Sequence, residues 1–167
     1  MRNRGATRPA PRARKTEAAG RGPRASDAGA RGQRFDSALL EELVESAARI
    51  REHAYAPYSR FKVGAAVLAS SGRIFTGCNV ENCSYGLALC AERAAVAAAV
   101  AAGETRLEAA AVVTGSEEPS PPCGMCLQTL AEFGSPESPV VLVNLRGVRR
   151  RLALRDLMPH AFARSYL

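Results

Sequence analysis

Past residue 36 the apolar positions fall at three-to-four spacing: Leu39, Leu40, Leu43, Val44, Ala47 and Ile50. They line one side of a helix, and Asp36-Ser37 ahead of them supplies its cap. Ala56-Pro57-Tyr58-Ser59 ends the pattern in a loop. The period then changes: FKVGAAVLA, 61–69, reads as a strand, Ser70-Ser71-Gly72 as a turn, and 73–80 as the returning arm of a hairpin. An irregular connection at 82–86 leads to an alanine-rich helix over about 89–102, stopped by Gly103. A buried-type strand follows at 109–114, then a loop carrying Pro119, Pro121 and Pro122, and a helix over about 124–133. Strands at 140–144 and 148–153 and a last helix at 154–162 complete the chain. This order, helices alternating with strands, predicts an α/β fold: one mixed sheet with helices on both faces. There is no internal repeat.

Composition changes the picture in two places. The 167 residues suit one domain with a real core, and no apolar run is long enough to cross a bilayer. Trp is absent and aromatics are few, so aliphatic side chains and alanine must pack that core. The net charge of +7 suggests a nucleic-acid partner until it is divided. Residues 1–34 hold ten Lys/Arg against Glu17 and Asp27, a net +8, which leaves −1 for residues 35–167. The basic character therefore belongs to a tail rich in Arg, Ala, Gly and Pro, expected to be disordered, and the folded domain begins at 35. That tail lacks the apolar core of a secretory signal. A transit peptide would be Arg-rich and acid-poor as this stretch is, but the stretch is poor in Ser and broken by three prolines. An RNA- or membrane-touching arm is a further alternative. The favoured expectation is a dispensable extension, or a start codon set too far upstream.

Five cysteines (Cys78, Cys83, Cys90, Cys123, Cys126) without a secretory signal argue for a reducing compartment, with metal ligation or burial rather than disulfides. Cys78 and Cys83 are expected to be buried small apolar groups. Cys123-Gly-Met-Cys126 opens a helix, where two sulfurs three apart share one side and the helix terminus favours thiolate. Alone it fits a redox pair, half a structural zinc site or half a catalytic one. A redox pair follows its strand closely, whereas this one follows a Ser-Pro-Pro loop. Cys90, opening the other alanine-rich helix, offers a third thiolate. Three thiolates leave a fourth zinc position open, the mark of a catalytic centre. Glu92, two residues on, suits a proton shuttle there.

Cys90-Ala-Glu92 and Pro122-Cys123-x-x-Cys126 together resemble the signature of zinc-dependent nucleoside and nucleobase deaminases. The likeness extends to YAPYSRFKVGAA (55–66), GCNVENCSYG (77–86), CAERA (90–94) and LMPHAF (157–162), which resemble the small homotetrameric cytidine deaminases over residues 36–163. The resemblance implies a three-layer α/β/α sandwich around a mixed five-stranded sheet. It also implies one zinc per subunit on Cys90, Cys123 and Cys126, and Glu92 as the catalytic proton carrier. Arg93, and Gln128 after it, would hydrogen-bond the ligand sulfurs and withdraw their excess negative charge. Relatives commonly carry Arg where this chain has Leu127.

By the same resemblance Phe61 stacks on the cytosine ring, unless it is plain strand core. Asn79 and Glu81 would hold the ribose 3′-hydroxyl, their two-residue spacing turning both side chains one way; a solvated strand end is the alternative. Asn82, Cys83 and Tyr85 match the segment that reaches a neighbouring subunit's site, and Phe162 the aromatic that closes a neighbour's pocket or anchors the tail. Tyr55 and Tyr58 pack the loop near the site, while His53 and His160 are surface or packing residues. The implied activity is cytoplasmic hydrolysis of cytidine and deoxycytidine in pyrimidine salvage, by a tetramer with shared sites and no membrane partner. Blasticidin S deaminase shares the cysteine frame but differs from this chain at 79–85. A nucleic-acid deaminase gripping through the tail is opposed by the near-neutral domain, and a structural-zinc module by the intact Glu92 and Arg93.

Overall fold

The computed structural model describes residues 36–167; the expected extension at 1–34 lies outside the described residues. Helix α1 (Ser37–Arg51) begins where the sequence predicts, with the Asp36 carboxylate accepting from the Ala38 amide at 3.1 Å. Five strands follow the hydrophobic pattern: β1 (Val63–Ala69), β2 (Ile74–Cys78), β3 (Leu107–Thr114), β4 (Pro139–Asn144) and β5 (Arg149–Ala153). They order as β2-β1-β3-β4-β5, and β3–β4 is the single parallel pair, so the sheet is mixed. Helices α2 (Ala91–Ala101), α3 (Gly124–Phe133) and the short α4 (Leu154–Leu157) complete the domain.

Period-two alternation along the central strands sorts the core into two layers. Ala66 and Leu68 of β1, with Ala111 and Val113 of β3, face Leu40, Leu43, Val44 and Ala47 of α1. Ala65, Val67, Ala110 and Val112 face Ala91, Ala95, Val96 and Ala99 of α2 and Leu127 and Leu130 of α3. Because β3 and β4 are covered on both faces, they read as unbroken apolar runs rather than alternating ones. The result is the expected α/β/α sandwich. Each fully buried Leu or Val contributes roughly 1.5–3 kcal/mol by leaving water.

Two glycines set how closely the helices approach. A Cβ on Gly64 would lie 2.1 Å from the Ala47 carbonyl oxygen of α1, and one on Gly77 would lie 2.4 Å from the Ala95 nitrogen of α2. The two strands pair side by side there, so one glycine admits a helix on each face.

The elements depart from the pattern where backbone chemistry intervenes. β1 starts at Val63 rather than 61, because Arg60 just before it takes a left-handed φ of 59°. β2 ends at Cys78, and Val80 makes only isolated bridges to Tyr55 and Leu89. The last helix stops at Leu157 instead of 162: Met158 precedes Pro159, which disfavours helical backbone, and it takes φ −142°, ψ 74°. No helix among the described residues is long and apolar enough to cross a membrane.

Candidate metal centre and active site

Cys90 and Cys123 occupy the N-cap positions of α2 and α3, both in extended backbone and neither capping its own helix. Cys126 lies within the first turn of α3. Two chain segments far apart in sequence thus bring three sulfurs together beside β3. Cys90 Sγ is 4.0 Å from Cys123 Sγ, Cys123 Sγ is 3.5 Å from Cys126 Sγ, and all three lie within 4.8 Å of one another. A tetrahedral zinc with Zn–S near 2.3 Å spaces its sulfurs by about 3.8 Å. The donor set fits zinc, and two helix N-termini directed at it favour its thiolate form.

Burial and the local hydrogen bonds shift the groups of this site in different directions. Burial pushes the Cys126 thiol far up, with the Glu92 charge adding to it, and burial also raises Cys90. At Cys123 burial raises too, but hydrogen bonds from the Cys126 amide and the neighbouring thiols outweigh it, and the thiol is lowered. Glu92, in the first turn of α2, is 6% exposed, and burial lifts its carboxyl above the ordinary range. A carboxyl so placed exchanges protons closer to neutrality than a solvated one.

A cavity of about 210 Å³ opens over these groups, its walls including Phe61, Asn79, Cys90, Glu92, Thr114 and Cys123. Phe61 is 41% exposed and precedes β1, so it is a wall of the cavity and not strand core. Asn79 reads the start of β1 like an extra strand residue: its Oδ1 accepts from the Val63 amide at 2.8 Å, and its Nδ2 donates to the Phe61 carbonyl at 2.8 Å. Glu81 turns to the same incoming segment. Its Oε2 accepts from the Tyr58 amide at 2.9 Å and the Ser59 amide at 3.2 Å, and its Oε1 accepts from the Ser59 hydroxyl. Those bonds, the Ser59 hydroxyl foremost, hold the Glu81 carboxyl below its usual range. Both side chains are wired into the segment that delivers Phe61, but Asn79 lines this cavity, whereas Glu81 lines a neighbouring one with Tyr58, Ser59 and Tyr85.

Several expected participants sit outside the cavity of a single chain. Tyr85 is 80% exposed, in a short 3₁₀ turn, with its ring edge-on to Tyr58 at 6.4 Å. Phe162 is exposed and stacks on Tyr166 at 5.7 Å. Cys83 is exposed rather than buried, because it belongs to the irregular connection, with its sulfur 3.7 Å from the Asn82 side-chain oxygen. Cys78 is half-buried. Gln128 gives its Nε2–H to the Phe162 carbonyl at 2.8 Å instead of to a sulfur, tying the C-terminal segment to α3. Arg93 is half-buried and makes no hydrogen bond or ion pair among the described residues. Leu127 is buried against the sheet, an aliphatic use of its position.

The sequence reading missed Ser59, whose hydroxyl also accepts from the Phe61 amide at 3.0 Å, and the hydroxyls of Thr114, Ser116 and Ser120. Loop hydroxyls follow no period, and only their density in 114–120 hints at a network.

Residues 37–142 match the family described as the cytidine and deoxycytidylate deaminase zinc-binding region. The chain belongs to this family. Its cofactor is Zn²⁺, and it is a deaminating hydrolase. A cytidine deaminase of Sporosarcina psychrophila is 44% identical over 128 residues, covering 77% of this chain and 94% of that protein. The crystal structure of cytidine deaminase from Burkholderia pseudomallei is 50% identical, with a TM-score of 0.70 over 73% of this chain and 98% of that one. The cytidine deaminase of Mycobacterium tuberculosis is 46% identical, with a TM-score of 0.64 over 74% and 97%.

Proposed function

We propose that this chain converts cytidine and 2′-deoxycytidine, with water, into uridine and 2′-deoxyuridine plus ammonia, serving pyrimidine salvage in the cytoplasm. The observation that carries this reading is a group of three zinc-spaced sulfurs, two of them lining one cavity together with a buried carboxyl and an aromatic wall.

Cys90, Cys123 and Cys126 would hold the zinc, which when bound lowers the pKa of water from 15.7 toward about 7. Glu92 takes a proton from the attacking water and gives it to ring N3. The water oxygen adds to C4, which becomes tetrahedral. Glu92 then carries the second proton to the exocyclic nitrogen, the C4–N bond breaks, and ammonia leaves. Arg93, three residues past Cys90, would offset the negative charge of three thiolates. Gln128 supports the site through the C-terminal segment it holds.

Phe61 packs on the base, and Asn79 and Glu81 take the sugar hydroxyl with the lone pairs and protons their loop bonds leave over. Losing the sugar would leave those polar groups unmatched, which selects nucleoside over free base. The exposure of Cys83, Tyr85 and Phe162 supports a homotetramer in which these residues complete the site of another subunit. The proposed catalytic unit is residues 35–167.

The test is zinc content and ammonia release from cytidine on the purified full chain. About one zinc per chain with turnover is expected. Zinc without release from cytidine or deoxycytidine would overturn the substrate, and failure to retain zinc after a metal-replete preparation would overturn the site.

A further inference from the structure

Resting on the deamination reading, the wall of the cavity formed by the β3 end and the following loop carries a second kind of information. Ser116 Oγ lies 2.6 Å from the Glu118 carbonyl oxygen, 2.7 Å from Thr114 Oγ1 and 2.9 Å from Ser120 Oγ. A hydroxyl has one proton and two lone pairs, and a carbonyl only accepts. The Ser116 proton therefore goes to Glu118, and the other two hydroxyls must both donate to Ser116. Thr114 and Ser120 have then committed their protons and keep only lone pairs for other partners. Both line the cavity that holds Cys90, Glu92 and Cys123. Thr114 is 1% exposed, so it cannot turn its proton to bulk water instead. The loop is held from outside as well, with the Asn144 amide donating to the Glu117 carbonyl.

We infer that Thr114 and Ser120, polarised through Ser116, form an acceptor-only wall that recognises the exocyclic amine of the substrate and the ammonia it becomes. On a cytosine base O2 and N3 accept, so the amine is the one ring substituent such a wall can bond. On the product the same position is a carbonyl oxygen, which meets lone pairs there. The wall thus favours substrate over product at the atom that changes, and Ser116 is a positioning residue that fixes the direction of both hydroxyls.

The experiment compares cytidine kcat/KM with the competitive Ki of uridine in the full-length holoenzyme, its zinc content measured alongside. Ser116→Ala frees both protons, so Thr114 and Ser120 can donate. Uridine should then bind about fivefold tighter while cytidine kcat/KM falls about fivefold, a neutral hydrogen bond's worth in each direction. Ser116→Thr, which keeps the hydroxyl, should restore both values. Ser120→Ala removes one acceptor and should shift the same ratio the same way by less. If uridine and cytidine affinities move together, or their ratio does not change in either alanine variant, the inference is overturned while the deaminase stands. A wild-type holoenzyme that releases no ammonia sinks both.

Discussion

Two helix starts meet at the metal centre and a third stands apart, and the three are capped differently. α1 is closed by Asp36, whose carboxylate takes the Ala38 amide. α2 and α3 put Cys90 and Cys123 at the same position, where neither makes a side-chain cap hydrogen bond. A Ser, Thr, Asp or Asn cap stabilises a helix by roughly 1 kcal/mol over a residue that cannot cap. The catalytic face replaces the oxygen cap with sulfur twice, and the first-turn amides of α3 act on the Cys123 sulfur instead, whereas the opposite face keeps its carboxylate cap. The comparison separates residues chosen for folding from residues chosen for chemistry.

Four substitutions sharpen it. Cys123→Ser should have the largest effect: zinc lost on dialysis and turnover abolished, yet metal-free protein more stable by up to about 1 kcal/mol in urea, because serine caps α3. A metal-free protein less stable than its parent would break the contrast. Glu92→Gln should keep zinc, read by metal analysis, and lower kcat by at least about 10³-fold, within the range of a lost general acid–base group. Near-normal turnover would remove Glu92 from the chemistry. Gly77→Ala drives a Cβ into the α2 backbone and should cost about 1–3 kcal/mol, with kcat falling as Cys90 and Glu92 shift. Asp36→Ala should cost about 1 kcal/mol in thermal or urea unfolding and leave kcat/KM unchanged.

The helix over 124–133 was legible because the loop carrying Pro119, Pro121 and Pro122 sets where it can begin. The three sulfurs and Glu92 were legible for a different reason: their chemistry is rare enough that spacing alone narrows it. Residues whose role depends on a partner far along the chain were not. Gln128 has nothing local to mark it as the tie to Phe162, thirty-four residues on. Ser59 is a loop serine until Glu81 reaches it across the sheet edge. Cys83 read as buried because cysteine usually is, and the connection carrying it simply lies on the surface. Periodicity reports what faces a core, and a hydrogen bond between two loops leaves no period.

At the far edge of the sheet, β5 brings Arg149, Arg150 and Arg151 into three consecutive exposed positions. Two of them are answered by acids of other elements, Arg149 by Glu41 and Arg150 by Glu118. A run of arginines invites comparison with a nucleic-acid grip, but an edge strand has a more general hazard: its unpaired amides and carbonyls are a template for another chain's strand. Long charged side chains along such an edge, paired or not, make another strand an unwelcome neighbour. The arginines of β5 are thus best understood as protection against fibril-like stacking, keeping the sheet at five strands in a protein otherwise packed with alanine and valine.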